Sequence, residues 1–441
     1  MEVPKQSPLS TTSASDGERY NSDLQRVPAE MRALVLDGTG FDRLKVCAVA
    51  TPRPSSQQML ARVDAAGICT SLIKLIEQGP RHQLLYGWDV NRYPLILGDE
   101  GSVTLVEIGA SLRDRYASGE RYVIQPAVDH APLNHRERYR DEAKGIGKIA
   151  VGYTLGGHLA EYVLITEEIL SASCLLPLPD PAIPYSHAAL SEPFSCVISS
   201  QDHHLHSGQS DRLAPRKVSQ GLKRLGTTVI IGAGAMGRMH TALAMSYRPR
   251  TIIVADLVES RLELVKSLLG PQAQNLGVTL STVNPAKDDL KKVVDGSTNN
   301  AGADDVIVAV GSKMAIEVAM NLVNRGAVLN LFGGLKKGED TVGFDTGIVH
   351  YKEINITGTS GGSPWDVARA LELMATKEID AGAHITRIGD LEHATAFLQM
   401  IMRQEIDGKA VVYPHRRSGE IRAVRSWSAE DEREYLREHE G

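Results

Sequence analysis

Asp99 and Glu100 stand side by side in YPLILGDEGSV, between two glycines and after an apolar run. Adjacent carboxylates at the end of a strand-like segment serve either a solvated turn or a site that wants negative charge, a divalent cation above all. A second chemical signal lies further on. Gly232, Gly234 and Gly237 form G-A-G-A-M-G directly after the apolar run TTVII and before a segment with helical spacing. In that context the first glycine permits a tight turn, the second lets the backbone approach a pyrophosphate, and the third allows close helix–strand packing. The helix opening at Ala235 and Met236 then turns unpaired N–H groups and a positive dipole end towards the phosphates. Asp256 ends the next apolar strand, TIIVAD, where an acid hydrogen-bonds the adenosine ribose diol and repels a 2′-phosphate. NAD(H) is therefore expected over NADP(H), with Arg261 nearby. A structural glycine turn without nucleotide is the alternative.

The elements that must hold these groups fall into two regimes. Residues 30–197 carry short Val/Ile/Leu runs such as MLARVDAAG, SVTLVEIGA and EYVLITEE, punctuated by glycine and proline, and read as a β-rich unit. From TTVII onwards, apolar strands alternate with helical patterns, which implies parallel βαβ units. SRLELVKSLLG, for example, puts Leu262, Val265, Leu268 and Leu269 on one helical face. The expected organisation is α/β: a disordered polar tail over 1–29, a β-rich domain over 30–197 and 353–415, a doubly wound nucleotide domain over 198–352, and a charged, mostly solvated tail over 416–441. The polar stretch SSQDHHLHSGQSDRLAPRKVSQGLKRLG reads as a solvated connector, and His203, His204 and His206 as solvated rather than ligating.

The chain has 441 residues and a net charge of −6, which gives no reason to expect nucleic acid or an anionic membrane as partner. No apolar run approaches the ~18 residues of a membrane-spanning helix. The N-terminus lacks an apolar signal core, so a cytoplasmic location is expected. The four cysteines (Cys47, Cys69, Cys174 and Cys196) are scattered, which suits reduced thiols or ligands better than bridges.

Read as a set, the order of units and several segments resemble the zinc-type medium-chain dehydrogenase/reductase family, in its polyol dehydrogenase branch. AAGICTSLIKLIEQG resembles the segment carrying the first catalytic zinc cysteine, here Cys69. PLILGDEGSVTLVEIG resembles the family's Gly-His-Glu segment, GGHLAEYVLI the strand before the domain crossover, and LSEPFSCVI the segment that offers a further carboxylate, here Glu192. EPFSCVIS, the long connector and VHY…GTSGG resemble L-sorbose 1-phosphate reductases and related ketose-phosphate enzymes.

The resemblance implies a GroES-like catalytic domain beside a Rossmann domain. It also implies NAD(H), one catalytic divalent metal with zinc as the leading identity, and oxidoreduction of a polyol, ketose or sugar phosphate. Cys69, Asp99, Glu100 and Glu192 are the implied metal ligands, with Asp99 where the family has histidine. One thiolate and three carboxylates leave about two excess negative charges around a divalent ion, a cost in a buried cleft, and more oxygen moves preference towards Mn²⁺ or Mg²⁺. Ser71 is the implied start of a proton relay. Lys74 stands where relatives often have histidine. A lysine is a poor proton shuttle at neutral pH unless burial lowers its pKa; contact with an anionic substrate, with Arg81 and His82 near in sequence, and a solvated basic loop are the two readings left open. His350 and Tyr351 are expected near nicotinamide and substrate. Residues 126–150 contain no cysteine, so no structural zinc is expected. Relatives form dimers or tetramers, and GAVLNLFGG is the strand expected to pair across such an interface. Two other readings stay open: a metal-free quinone or enone reductase on the same fold, and a non-catalytic nucleotide-binding protein.

Overall fold

Two sheets set the positions of every candidate residue. A computed structural model describes residues 27–335, 338 and 340–438; most of the expected N-terminal tail lies outside the described residues. The first sheet has eight strands and is built around Met59–Gly67. That strand pairs antiparallel with Glu100–Ile108, with Tyr162–Ile165 and with Lys409–Tyr413. It is buried along its whole length, including Arg62 and Asp64, which pair with each other at 2.7 Å. A central strand covered on both faces has no solvent side on which to place charges, so opposite charges must meet. Lys409–Tyr413 and its parallel neighbour Ile385–Asp390 come from the far end of the chain and complete this sheet.

The second sheet is parallel throughout. Its order is Thr279–Val283, Thr251–Ala255, Thr227–Ile231, Ala303–Val308, Val323–Leu331, Asn355–Thr357. This is the doubly wound 3-2-1-4-5-6 order, whose switch point lies at the C-terminal end of Thr227–Ile231. That is where the glycine turn stands.

Four expectations need correction. The short strand Asn355–Thr357 joins the parallel sheet through Val328↔Asn355, so that sheet runs past residue 352. Val323–Leu331, which contains most of GAVLNLFGG, lies between two strands, so the free edge belongs to Asn355–Thr357 instead. Three residues carry too little periodicity to be read as a strand. The connector forms a hairpin, Leu205–Gly208 with Lys217–Gln220, and folds His204 and His206 inwards.

The charged tail is docked rather than solvated. Trp427 and Tyr435 are buried, and Trp427 Nε1 donates to the Tyr413 hydroxyl at 2.8 Å. Glu432 accepts from the Tyr185 and Ser186 N–H groups and from the Tyr413 hydroxyl. The amphipathic helix Ala429–Arg437 thereby caps the helix Tyr185–Ala189, which leads into the helix bearing Glu192.

Candidate active site

Cys69 follows the buried strand Met59–Gly67 and precedes the helix Ser71–Gln78. Leu72, Leu75 and Ile76 bury one face of that helix, so Ser71 and Lys74 fall on the other, more exposed side. Glu100 begins the neighbouring strand in register with Gly67. A Cβ on Gly67 would sit 2.0 Å from Glu100 Oε2, so the glycine makes room for the carboxylate. Glu192 lies in the first turn of the helix Ser191–Asp202, where the dipole favours an acid.

These segments, distant in sequence, converge. Cys69, Asp99 and Glu100 bring one ligand atom each to within 4.8 Å of one another. Ser71 Oγ lies 2.7 Å from Asp99 Oδ2 and 3.1 Å from Cys69 Sγ, with one proton to give to either. Tyr153 stands beside Ser71 on the same wall, and its hydroxyl is pushed up by burial and then by the charge of Asp99. Glu192 completes the group electrostatically. Burial first, then the charges of Asp99 and Glu100, push its carboxyl well up. The Cys196 thiol donates to Glu192 Oε1 at 3.4 Å. Burial likewise raises Cys69, Asp99 and Glu100. Asp99 and Glu100 are buried while Cys69 and Glu192 keep partial exposure, so the open side of the cluster is theirs.

One member was missed in the sequence. Lys409, 5% exposed, places Nζ on Glu100 Oε1 and donates to the Ile68 carbonyl at 3.1 Å. Burial alone would lower its pKa; Glu100 and Cys69 outweigh that and raise it. A lysine opening the otherwise apolar strand KAVVY was the available signal, since a cation within a fully buried strand needs a partner. Its charge removes one of the two excess negative charges that made the implied ligand set costly.

A divalent cation fits these residues on one observation. Asp99 Oδ1 and Glu100 Oε2 are buried with no hydrogen-bond partner among the described residues. Buried carboxylate oxygens without partners are expensive, and a cation among them would satisfy both.

A second group also clusters: His204, His206 and Asp305. Here Asp305 Oδ1 already accepts from His204 Nδ1 at 2.6 Å and from His206 Nε2 at 2.9 Å, and Oδ2 accepts from the Lys223 N–H at 2.9 Å. Ligands around tetrahedral zinc, at about 2.0–2.1 Å from the ion, sit roughly 3.3 Å apart, so the closer pair is spaced for hydrogen bonds. The cluster clamps the connector hairpin to the strand Ala303–Val308.

At the glycine turn, Gly232 has φ +108° and a Cβ on Gly237 would meet Gly232 O at 1.7 Å, so both positions require glycine. The helix Ala235–Ala244 begins at Gly234 without a side-chain cap, and Gly234, Ala235 and Met236 are partly exposed at its rim. Its first N–H groups are thus available to phosphate. Asp256 Oδ2 accepts from the Ala233 N–H at 2.7 Å and Oδ1 from the Val258 N–H at 2.8 Å. Arg261 lies 3.9 Å from Asp256 and pairs more closely with Asp407 at 3.0 Å, tying the nucleotide unit to the loop before Lys409. Lys74 bridges the two units from the other side: its Nζ lies 3.6 Å from where a Cβ on Gly334 would stand, just beyond the strand Val323–Leu331.

His350 and Tyr351 do not join the cluster. Both are exposed on the short helix Thr346–Lys352, which buries none of its residues, and their rings meet edge to face with centroids 4.7 Å apart.

Comparison with known proteins agrees with this layout. Residues 55–180 match the alcohol dehydrogenase GroES-like domain, and residues 225–376 the zinc-binding dehydrogenase model. The mannitol-1-phosphate 5-dehydrogenase of Aliivibrio fischeri is 30% identical over 372 residues, 82% of each chain. The L-sorbose 1-phosphate reductase of Klebsiella pneumoniae is 27% identical over 351 residues, 78% of this chain and 79% of its own. Among solved structures, a putative zinc-binding dehydrogenase from Sinorhizobium meliloti bound to NADP superposes with a TM-score of 0.67 at 24% identity, covering 88% of this chain and all of its own. The galactitol-1-phosphate dehydrogenase of Escherichia coli gives 0.67 at 19% identity, over 87% of this chain and all of its own. No helix among the described residues is long and apolar enough to cross a membrane. The chain belongs to the zinc-type medium-chain dehydrogenase/reductase family, the NAD(P)-dependent alcohol and polyol dehydrogenases, in the polyol dehydrogenase-like branch.

Proposed function

We propose that the protein is an NAD(H)-dependent, metal-assisted oxidoreductase that interconverts a secondary alcohol and a ketone on a polyol phosphate or ketose phosphate. The observation that carries this reading is the pair of unpartnered buried oxygens, Asp99 Oδ1 and Glu100 Oε2, beside the Cys69 thiol. Cys69, Asp99, Glu100 and Glu192 are the residues that would hold a divalent cation, and the thiolate favours zinc among the candidates. Such a cation supplies Lewis-acid polarisation of the substrate oxygen, and bound dinucleotide supplies a hydride acceptor or donor.

The remaining work falls to the chain itself. Ser71 holds a proton between Asp99 and Cys69 and is placed to pass it to or from the substrate hydroxyl. Tyr153 and the apolar wall behind it keep bulk water from that proton. Lys74, reaching from the catalytic unit to Gly334, offers the charge for a substrate phosphate, which fits the phosphorylated substrates named for several relatives. Asp256 selects NAD(H): its carboxylate beside the glycine turn accepts a ribose hydroxyl and repels a phosphate in the same place. A second copy of the chain is the expected partner, pairing along the free edge at Asn355–Thr357.

The test is nicotinamide absorbance over a panel of polyols, ketoses and their phosphates, before and after chelation and with zinc restored. Turnover of phosphorylated substrates that chelation abolishes and zinc restores is expected. Activity indifferent to chelation selects the metal-free reductase instead. Lys74→Gln is expected to raise KM for a phosphorylated substrate about tenfold with little change in kcat. An equal effect on the unphosphorylated analogue removes the phosphate assignment.

A further inference from the structure

Asp407 stands outside the nucleotide unit. It lies between the helix Ala394–Met402 and the strand Lys409–Tyr413, in the segment that completes the first sheet. Its side chain nevertheless reaches a cation of the nucleotide unit. Oδ1 accepts from Arg261 Nε at 3.0 Å, while Oδ2 faces the Ser260 hydroxyl at 3.5 Å. The next residue, Gly408, packs on a second arginine: a Cβ there would stand 2.6 Å from Arg238 Nη2. Arg238 lies in the helix Ala235–Ala244, just after Gly237, and is 1% exposed. Its Nη2 donates to the His384 carbonyl at 3.3 Å, and its Nε and Nη1 are buried with no hydrogen-bond partner among the described residues. Burial lowers this guanidinium to about 10; Asp407 opposes that shift and Arg261 adds to it.

Arg261 therefore sits between two acids and is shared unequally. Asp256 at 3.9 Å is beyond hydrogen-bond reach, whereas Asp407 takes the Nε edge. An arginine beside the acid of a dinucleotide fold has two uses. Free to turn, its planar fork accommodates a ribose 2′-phosphate; held elsewhere, it leaves the ribose hydroxyls to the acid. With Asp407 present, two acids and two arginines balance. Without it one positive charge is left over, and Arg261 loses its nearer partner.

We infer that Asp407 is a second determinant of dinucleotide choice, supplied by the catalytic unit: it holds Arg261 by the Nε edge and so withholds that guanidinium from a 2′-phosphate. Asp407 acts through Arg261 and is a positioning residue. The inference rests on the reading that Asp256 selects NAD(H), and adds why an arginine so close to that acid does not undo the selection.

The experiment titrates purified full-length protein with NADH and with NADPH, follows nicotinamide fluorescence, and takes the ratio of the two dissociation constants. Wild type is expected to bind NADH more tightly. Asp407→Asn is expected to tighten NADPH relative to NADH about tenfold, because the released arginine gains a charge-assisted bond to the phosphate. Arg261→Gln added to Asp407→Asn is expected to erase that gain. Should Asp407→Asn fail to fold because it strips Arg238 of its nearby acid, adding Arg238→Met removes the buried charge, and the same relative gain for NADPH is expected.

An unchanged ratio in folded Asp407→Asn, or in the Arg238→Met double variant, overturns the inference. So does a gain that survives Arg261→Gln. Wild-type protein that binds NADPH at least as tightly as NADH overturns the reading of Asp256 first, and this inference with it.

Discussion

Cys69, Asp99 and Glu100 gather their ligand atoms within 4.8 Å of one another, and so do His204, His206 and Asp305. In the first cluster, one oxygen of each carboxylate is buried and unpartnered. Its thiol is partly exposed, and Lys74 on the helix that follows it reaches towards Gly334 of the nucleotide unit. In the second, both oxygens of Asp305 are occupied, one by two imidazoles and one by a backbone N–H. Proximity of ligating residue types is common to the two. Carboxylate oxygens without a partner are found in the first alone; in the second, the buried atom without one is His204 Nε2. A ligand site is recognised by what its atoms still lack, and a structural clamp by atoms already satisfied.

The sharpest way to break this contrast is to remove one group from each cluster and compare the damage. Cys69→Ser is expected to lower kcat/KM by about 10³-fold, the scale of several kcal/mol of lost transition-state stabilisation, and to lower metal content. Its thermal melt without metal should stay close to wild type. Asp305→Asn should do the reverse. It leaves two buried histidines and a backbone N–H with a poorer acceptor, so a loss of about 3 kcal/mol is expected in a denaturant titration. Activity per folded molecule should stay unchanged. An Asp305→Asn protein of full stability that loses metal would reverse the roles given to the two clusters.

The pH dependence of that loss sharpens the clamp. Burial would raise the Asp305 carboxyl, but the hydrogen bonds and charges of His204 and His206 outweigh it and hold it down at about 2. A depressed carboxylate contributes stability that is fully present above its unfolded value near 4 and is lost as pH falls through about 2. The deficit of Asp305→Asn should therefore be largest at mildly acidic pH, shrink below about pH 4 as the carboxyl protonates, and shrink again at high pH as His206 loses its charge. The smallest effect belongs to His206. Burial lowers it, while Asp305 more than compensates and raises it. Its contribution is present below the unfolded value near 6.5 and fades as pH rises through the raised folded one. His206→Gln should cost about 1–2 kcal/mol at pH 5 and less at pH 9. A cost that does not vary between those two conditions would mean that His206 acts by shape and not by charge.

Much of the site was legible because its pieces are local patterns. Asp99–Glu100 between glycines, the glycine turn after TTVII and the acid ending TIIVAD are each fixed by backbone rules that act within a dozen residues. Glu192 and Cys69 were assignable through the family resemblance of their flanks. Lys409 was not, since its meaning depends on a strand pairing with residues more than 300 positions earlier. The histidines of the connector were misread for the same reason. In sequence they sit in a polar stretch, and their partner Asp305 lies about 100 residues away. The tail misled through composition. Its charges face solvent along one side of the helix Ala429–Arg437, while Tyr435, Leu436 and Glu432 turn inwards on the other.

The sequence by itself determined the two-unit α/β architecture, the glycine turn and its acid, and the presence of a thiol and several carboxylates that could serve one cation. Hydrophobic periodicity and the φ limits of glycine are properties of short segments, so they survive without coordinates. Tertiary structure alone decided which charges meet in the dark interior: that Lys409 offsets Glu100, that Asp305 is already filled, and that His350 and Tyr351 stay outside. Those outcomes follow from desolvation, which obliges every buried charge to find a partner wherever the fold brings one, however far away it lies along the chain.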